Sequence, residues 1–220
     1  MAYTLAPHIS FGFVGADAVV LDMAADRYLR LGKAESDVLR ALIEEERASP
    51  VSTALDRLCR SGMIIGGSGP IAPVVAAPIL SSVVETTPSS RAAFQPRLIE
   101  ILTDRMMAAR WMDVAGLSRT MAHWRALRSR QGPFDRATPS SLTDLVRGFH
   151  RGMRYYPAKR RCVQDSLALM TCLWRRHLDA ELYFGVRLDP FAAHCWVQSG
   201  DLLLTDPAAS VAEFSPVFRL

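Results

Sequence analysis

The chain has 220 residues, half of them hydrophobic, and a formal net charge of +4. That length suggests one or two domains, and the hydrophobic content excludes an intrinsically disordered protein. The charge is uneven, because residues 1–90 sum to −3 and residues 91–220 sum to +7, which favours two modules with different partners. The basic residues of the second module are spread along helical segments, which argues against a nucleic-acid-binding patch.

The four cysteines, the N-terminus and the apolar runs exclude several further classes of protein. No two cysteines have the CxxC spacing of zinc or redox sites, so we expect no metal site and no disulfide framework. The start MAYTLAPHIS lacks the pattern of a secretory signal, and no run of about 18 apolar residues occurs. Nucleotide-binding motifs are missing as well. We therefore expect a cytoplasmic protein that needs no cofactor.

The first third of the chain predicts a small α+β domain over residues 1–66. Short runs rich in β-branched and aromatic residues predict strands at 9–14, 18–23 and 28–31. Apolar residues at helical spacing predict two helices, one from about residue 35 and one over 51–60, followed by a closing strand in GMII. This order of elements predicts a winged-helix-like domain.

The rest of the chain predicts a linker and a second domain of mixed composition. The linker, residues 67–92, begins within the segment GGSGP and contains several prolines, which forbid a long helix, and its apolar content predicts packing on a surface. The second domain covers residues 93–220. Its pattern predicts helices at 96–130 with a break near Gly116, 141–155 and 162–176, then strands at 181–188, 194–198 and 202–205. The fold class expected for the whole chain is α+β.

A candidate catalytic triad lies in the last sixty residues. Cys162 opens a predicted helix after Lys159-Arg160-Arg161, a setting that favours the nucleophilic thiolate. His194 begins one predicted strand and Asp206 ends the next, with the short turn 199–201 between them. Antiparallel pairing across that turn brings the two side chains to one end of the sheet. This predicts a nucleophile, a base and an orienting acid in contact.

Each of these residues also has an ordinary structural interpretation. A cysteine in an apolar helix or strand is usually a small buried hydrophobe, which suits Cys172 and Cys195, and an aspartate before a proline often only forms a turn. The combined order of Cys162, His194 and Asp206 favours catalysis. The backbone N–H of Cys162 is one expected oxyanion donor, and the candidates for the second are Tyr155, Tyr156 and Gln164.

The segments around these residues carry a resemblance to a known family. RRCVQDSLALMTCLWRR, FGVRLDPFAAHCWVQ and DPAAS resemble the lasso-peptide maturation protease, or lasso B protein. The resemblance implies a transglutaminase-like, papain-related cysteine protease with Cys162, His194 and Asp206 as its catalytic triad. It also implies a lasso precursor peptide as substrate and a separate ATP-dependent cyclase, similar to asparagine synthetase, as partner.

The N-terminal domain has a resemblance of its own. VVLDMAADRYLRLG followed by a helix resembles the leader-recognition element of peptide maturation pathways, which is similar to PqqD. The resemblance implies that the leader of the precursor adds a strand to the edge of the sheet. The leader-binding residues it implies are Arg27, Tyr28, Leu29, Arg30, Leu31, Leu55, Leu58 and Cys59.

Two other functions are compatible with these patterns. A winged-helix domain alone would suggest a DNA-binding regulator, but the first module is net negative and phosphate contacts dominate DNA affinity. The same triad would also serve a transglutaminase-like transfer of an acyl group to an amine, because only the acceptor distinguishes that reaction from hydrolysis.

Overall fold

The computed structural model describes residues 2–44, 53–86, 96–132, 134, 139–157 and 159–220. The chain is a mixed α+β protein, as the sequence predicts, and its contacts divide it into two compact units. The first unit comprises Met1–Val75, Gly185–Ala192 and Ser215–Phe218, and the second comprises Ala76–Phe184, Ala193–Phe214 and Arg219–Leu220. The boundaries expected from the sequence, 1–66, 67–92 and 93–220, stay predictions.

Two small sheets form the β-structure of residues 2–75 in the first unit. Strands β2 (Ile9–Val14), β3 (Asp17–Asp22) and β4 (Arg27–Arg30) make an antiparallel sheet in that order. Strand β1 (Tyr3–Leu5), which the sequence analysis did not predict, pairs with β5 (Ile64–Gly66). Because β4 pairs only with β3 among the described residues, it is an edge strand of its sheet.

Two helices cover the sheet of the first unit. Helix α1 (Lys33–Ile43) begins two residues earlier than the sequence suggested, and α2 (Thr53–Arg60) lies within the predicted range, whose residues 51 and 52 are outside the described part. The Ser36 hydroxyl accepts a hydrogen bond from the Ala18 N–H at 3.0 Å and so ties α1 to β3. The core of the unit consists of Ala6, Ile9, Phe11, Ala18, Val20, Leu39, Leu55, Leu58 and Ile64.

Part of the predicted linker is ordered against the second unit's sheet. The Leu80 N–H donates to the Asp201 carbonyl at 2.9 Å, and strand β6 (Ser81–Ser82) pairs in parallel with β9 (Leu202–Leu203). This agrees with the expectation that the apolar linker packs on a surface. The strand itself was not predicted, because two serines in a proline-rich segment have little β propensity.

Three helices make up most of the second unit's α-structure. They are α3 (Leu98–Arg130), α4 (Pro139–Met153) and α5 (Cys162–Trp174). Helix α3 is interrupted at Gly116, whose φ of 73° and ψ of 178° are not helical. The rings of Trp111 and His123 stack at 3.9 Å, although twelve residues of straight helix would separate them by about 18 Å. The predicted break at Gly116 is therefore a sharp bend.

The remaining elements complete a five-stranded sheet. Strands β7 (Glu181–Leu188), β8 (Phe191–Ser199) and β10 (Ser215–Arg219) join β9 and β6 in the order β10-β7-β8-β9-β6, and α6 (Ala208–Val211) lies between β9 and β10. The expectation that a strand begins at His194 was wrong, because β8 starts three residues earlier. Neither α6 nor β10 was predicted. No helix in the described ranges is long and apolar enough to cross a membrane.

Candidate active site

Cys162 is the first residue of helix α5. The preceding residue, Arg161, is extended, with φ −140° and ψ 120°, and its side chain makes no capping hydrogen bond. The first amides of a helix have no acceptor within the helix and carry partial positive charge. Cys162 is an exposed residue, and its thiol lies where a negative charge is stabilised.

His194 and Asp206 meet because two strands pair across a tight turn. β8 and β9 are antiparallel, with Gln198 opposite Leu203 and Ser199 opposite Leu202. Continuing this pairing brings Asp206 Oδ1 to 3.0 Å from His194 Nε2. With Nε2 bonded to the carboxylate, Nδ1 is the imidazole nitrogen left for another partner. Phe214 packs beside the imidazole with ring centroids 5.6 Å apart and restrains its orientation.

The charges of the three residues are coupled. A hydrogen bond with the Cys195 thiol, opposed by burial and reinforced by the hydrogen bond and positive charge of His194, lowers the pKa of Cys162 to about 5. Hydrogen bonds to Asp206 and then to Cys162 raise the pKa of His194 to about 9 despite its burial. Because the thiol is the stronger acid of the two, the pair exists as thiolate and imidazolium near neutral pH.

The carboxylate of Asp206 stays ionised although it is partly buried. Burial alone would raise its pKa, but hydrogen bonds from His194 and from the Thr205 hydroxyl and the positive charge of His194 lower the pKa of Asp206 below its usual value. The Thr205 Oγ1 also accepts the Val197 N–H at 3.1 Å. In addition, the Ser82 hydroxyl donates to the Asp206 carbonyl at 2.6 Å. These contacts hold the carboxylate against the imidazole.

An ion-pair cluster holds the chain just before Cys162. The Asp165 carboxylate, one turn after Cys162 on α5, accepts from the Nε of Arg105 on α3 at 2.5 Å and also from Arg160. The Arg105 side chain is only 2% exposed, and its guanidinium lies 4.7 Å from the centre of the Tyr156 ring. The sequence analysis missed this cluster, although the i, i+3 spacing of Cys162 and Asp165 places both side chains on one helix face.

Cys162, His194 and Asp206 open onto a cleft of about 230 Å³. Its wall includes His150, whose Nε2–H donates to the Leu204 carbonyl at 2.9 Å. Burial lowers the pKa of His150, so this imidazole is neutral and its Nδ1 is an acceptor. The residues that line the cleft are Phe149, His150, Arg160, Cys162, Asp165, Ser166, Leu169, His194, Cys195, Thr205 and Asp206. The described ranges contain no group of three or more His, Cys, Asp or Glu residues that could hold a metal ion.

The candidates for the second oxyanion donor lie outside this lining. Tyr155 is 69% exposed, the Tyr156 ring packs on Arg105, and Gln164 is buried. None of the three is among the described residues of the cleft wall, and the identity of the second donor stays a prediction.

The expected leader-binding residues fall into two groups. Residues 27–30 form the edge strand β4, and Leu31 follows it with its N–H bonded to the Ala18 carbonyl at 2.9 Å. By contrast, Leu55 and Leu58 are buried in the core, and Cys59 packs partly buried against it. Of the expected residues, those of the edge strand and Cys59 are therefore more accessible than Leu55 and Leu58, and leader binding by any of them stays a prediction.

Comparison with known proteins places the C-terminal half of the chain in a family. The family model of the transglutaminase-like superfamily matches residues 105–219, which is more than half of the chain. The chain belongs to the transglutaminase-like superfamily. This match confirms the transglutaminase-like domain that the sequence predicted for the C-terminal half.

A curated relative gives a narrower likeness within the superfamily. The relative is the microcin J25-processing protein McjB of Escherichia coli. Over 48 residues, or 22% of the present chain, the two sequences are 42% identical. The match spans 23% of that relative. No solved structure is significantly similar to the chain. The two sequence matches together confirm the resemblance to the lasso-peptide processing family.

Proposed function

We propose that this protein is the leader peptidase of a lasso-peptide pathway. It hydrolyses the peptide bond between the leader and the core of a precursor peptide. The observation that carries the proposal is the placement of Cys162, His194 and Asp206 in one cleft of a transglutaminase-like chain. In that cleft His194 Nε2 lies 3.0 Å from Asp206 Oδ1. The partial likeness to McjB supports a lasso precursor as the substrate class.

The reaction begins with the ionised thiol. The Cys162 thiolate attacks the carbonyl carbon of the scissile bond, and the helix-terminal N–H groups of α5 stabilise the oxyanion. The His194 imidazolium then gives its proton to the leaving amine, which becomes the new N-terminus of the core. The leader remains on Cys162 as a thioester. Neutral His194 next takes a proton from water, which attacks the thioester and releases the leader with a free carboxylate.

Asp206 acts on the base instead of on the substrate. Its hydrogen bond to Nε2 holds the imidazole with Nδ1 toward Cys162 and stabilises the positive charge that His194 carries before each acylation. The Thr205 hydroxyl bonds the same carboxylate, and the Ser82 hydroxyl holds the Asp206 backbone through its carbonyl.

The N-terminal unit is proposed to supply substrate selection. Its three-stranded sheet and two helices suit a winged-helix, PqqD-like leader-recognition domain, and the edge strand β4 suits strand addition by the leader. Tethering the leader raises the local concentration of the cleavage site near the thiolate. We further propose that the product passes to an ATP-dependent cyclase and that the protein works in the cytoplasm, where thiols stay reduced.

The test is mass spectrometry of lasso precursor peptides, including that of microcin J25, incubated with wild-type protein or with Cys162→Ala. The proposal expects an intact leader and an intact core from the wild type and only precursor from the variant. A binding assay with labelled precursor serves as the control, because Cys162→Ala retains the leader-binding strand. Equal cleavage by both proteins would refute the role of Cys162.

A second candidate is acyl transfer to an amine, which membership in the transglutaminase-like superfamily favours. Both reactions share the thioester, so the acceptor distinguishes them. Cleavage in heavy-oxygen water labels the new carboxylate of the leader if water is the acceptor. If an added primary amine appears on the leader and the label does not, acyl transfer is the activity.

A further inference from the structure

Cys162 has a second thiol beside it. Cys195 lies on β8, next to His194 in the chain, and its sulfur is 3.8 Å from the Oγ of Ser166, which follows Cys162 by one turn of α5. Its thiol and backbone N–H also lower the pKa of Cys162. The two residues line the same cleft. Sequence reasoning treated Cys195 as a small buried hydrophobe, and it is indeed only 2% exposed. The sequence pattern did not reveal that Cys195 shares a cleft with Cys162.

The two thiols differ in access. Cys162 is exposed, whereas Cys195 is buried under the cleft floor with the Ser166 Oγ at 3.8 Å from its sulfur. A peroxide in solvent therefore reaches Cys162 first. Thiolate character and exposure together select the cysteine that is oxidised, and both favour Cys162. Burial is the main cause, and the neighbouring Cys162 thiolate the second, of a Cys195 pKa well above its ordinary value. Cys195 is therefore protonated.

We propose that Cys162 and Cys195 form a reversible disulfide and so make the cleft a redox modification site. A hydroperoxide first transfers an oxygen atom to the Cys162 thiolate, which gives a sulfenic acid and an alcohol or water. The Cys195 sulfur then attacks the sulfenic sulfur, its proton joins the leaving hydroxide as water, and the S–S bond forms. A dithiol reverses the step, becoming a disulfide itself while it restores both thiols.

The other two cysteines do not offer this pairing. Cys172 is fully buried on α5 and lies 3.2 Å from Arg176 Nη1, while Cys59 belongs to the first unit. Cys172 is not among the described residues that line the cleft shared by Cys162 and Cys195. The disulfide thus involves one particular pair. It also protects Cys162, because a disulfide is reducible whereas the sulfinic acid formed by further oxidation is not.

The functional consequence rests on the proposed function. If Cys162 is the nucleophile, the oxidised protein does not cleave precursor until a dithiol reduces it. Formation of the bond can be measured without substrate, so the modification and the peptidase activity are tested separately.

The experiment treats reduced protein with a small excess of hydrogen peroxide, alkylates the remaining thiols with N-ethylmaleimide under denaturing conditions and measures the intact mass. The wild type is expected to lose two hydrogens and two alkylation sites, and proteolysis is expected to give one linked pair of peptides containing Cys162 and Cys195. Dithiothreitol should restore both sites. Cys59→Ala is the control, because it removes a cysteine outside the cleft, and it should form the same link between Cys162 and Cys195.

Cys195→Ala should behave differently under the same treatment. Without a resolving thiol, Cys162 is expected to gain two oxygen atoms and to resist dithiothreitol. Peptide mapping of the wild type gives a result even if this variant folds poorly. Gain of two oxygen atoms at Cys162 in the wild type, with no linked peptide, would overturn the proposal. A linked peptide in a protein that cleaves no precursor would uphold it and count against the peptidase instead.

Discussion

At the scale of single residues, the proposed reaction depends on the charge states of Cys162 and His194. The thiolate requires a pH above the Cys162 pKa of about 5, and the imidazolium requires a pH below the His194 pKa of about 9. Both charges are present between these limits. The two groups titrate as a coupled pair, so the limits belong to the pair.

The first prediction follows for the pH dependence of cleavage. A plot of kcat/KM against pH should rise through about 5, stay level and fall through about 9. Inactivation by iodoacetamide should show the same acid limb, because it measures the thiolate without substrate. An acid limb near the ordinary thiol pKa of about 8.5 would contradict the ion pair.

A second prediction concerns Asp206→Asn. The amide removes the hydrogen-bonded charge that contributes most to raising the pKa of His194, so the basic limb should move to lower pH. We expect kcat/KM to fall by roughly 10²–10⁴-fold. Asp201→Asn is the matched control, since it removes an exposed carboxylate from the same hairpin and should leave the pH profile in place.

At the scale of elements, the bend of α3 depends on one glycine. Gly116 has a positive φ of 73° with an extended ψ, a region that residues with a Cβ avoid. A Cβ added there meets nothing within 4 Å, so any cost comes from the backbone alone. The bend allows Trp111 to stack on His123 and to approach Trp124 with ring centroids 6.4 Å apart.

The third prediction is that Gly116→Ala lowers the free energy of unfolding by about 1–3 kcal/mol. Gly66→Ala is the control, because its added Cβ also meets nothing within 4 Å and its φ is not positive. We expect that control to change the free energy of unfolding by less than about 0.5 kcal/mol. Urea denaturation of both variants measures the difference, and equal effects would show that backbone strain at Gly116 is unimportant.

Elements with a strong local pattern could be predicted from the sequence, and those defined by distant partners could not. Strands β2 to β4, the bend at Gly116 and the start of α5 follow from alternation, a glycine and helical spacing. Strand β6 depends on pairing with residues 202–203, and the Ser82 contact with Asp206 joins positions far apart in the chain. Likewise, the sequence alone predicts an ordinary buried cysteine at Cys195, because it does not show that Cys162 lies in the same cleft.

At the scale of the whole molecule, the proposed function assigns binding and chemistry to different units. The Leu31 N–H bonds inward to Ala18, and amides alternate in direction along an antiparallel strand. The Arg30 N–H therefore points away from β3 toward the open edge. A leader that adds a strand would accept a hydrogen bond from it.

The fourth prediction is that Arg30→Pro weakens precursor binding about fivefold relative to Arg30→Ala. Both variants lose the ion pair with Asp17 at 2.6 Å, but only proline removes the N–H. Hydrolysis of a short peptide that spans the cut site but lacks the leader should be equal in both. Equal precursor affinities, measured by titration with labelled precursor, would mean that the leader does not pair at this edge.

The central claim is that Cys162 attacks the leader–core bond, and trapping the thioester tests it most directly. Wild-type protein is mixed with a molar equivalent of precursor, quenched in acid after short times and measured by intact-mass spectrometry, with Cys162→Ala in parallel. We predict a transient species with the mass of protein plus leader, mapped to Cys162 and absent from the variant. Release of the core with no such adduct, at equal rates in both proteins, would contradict the account.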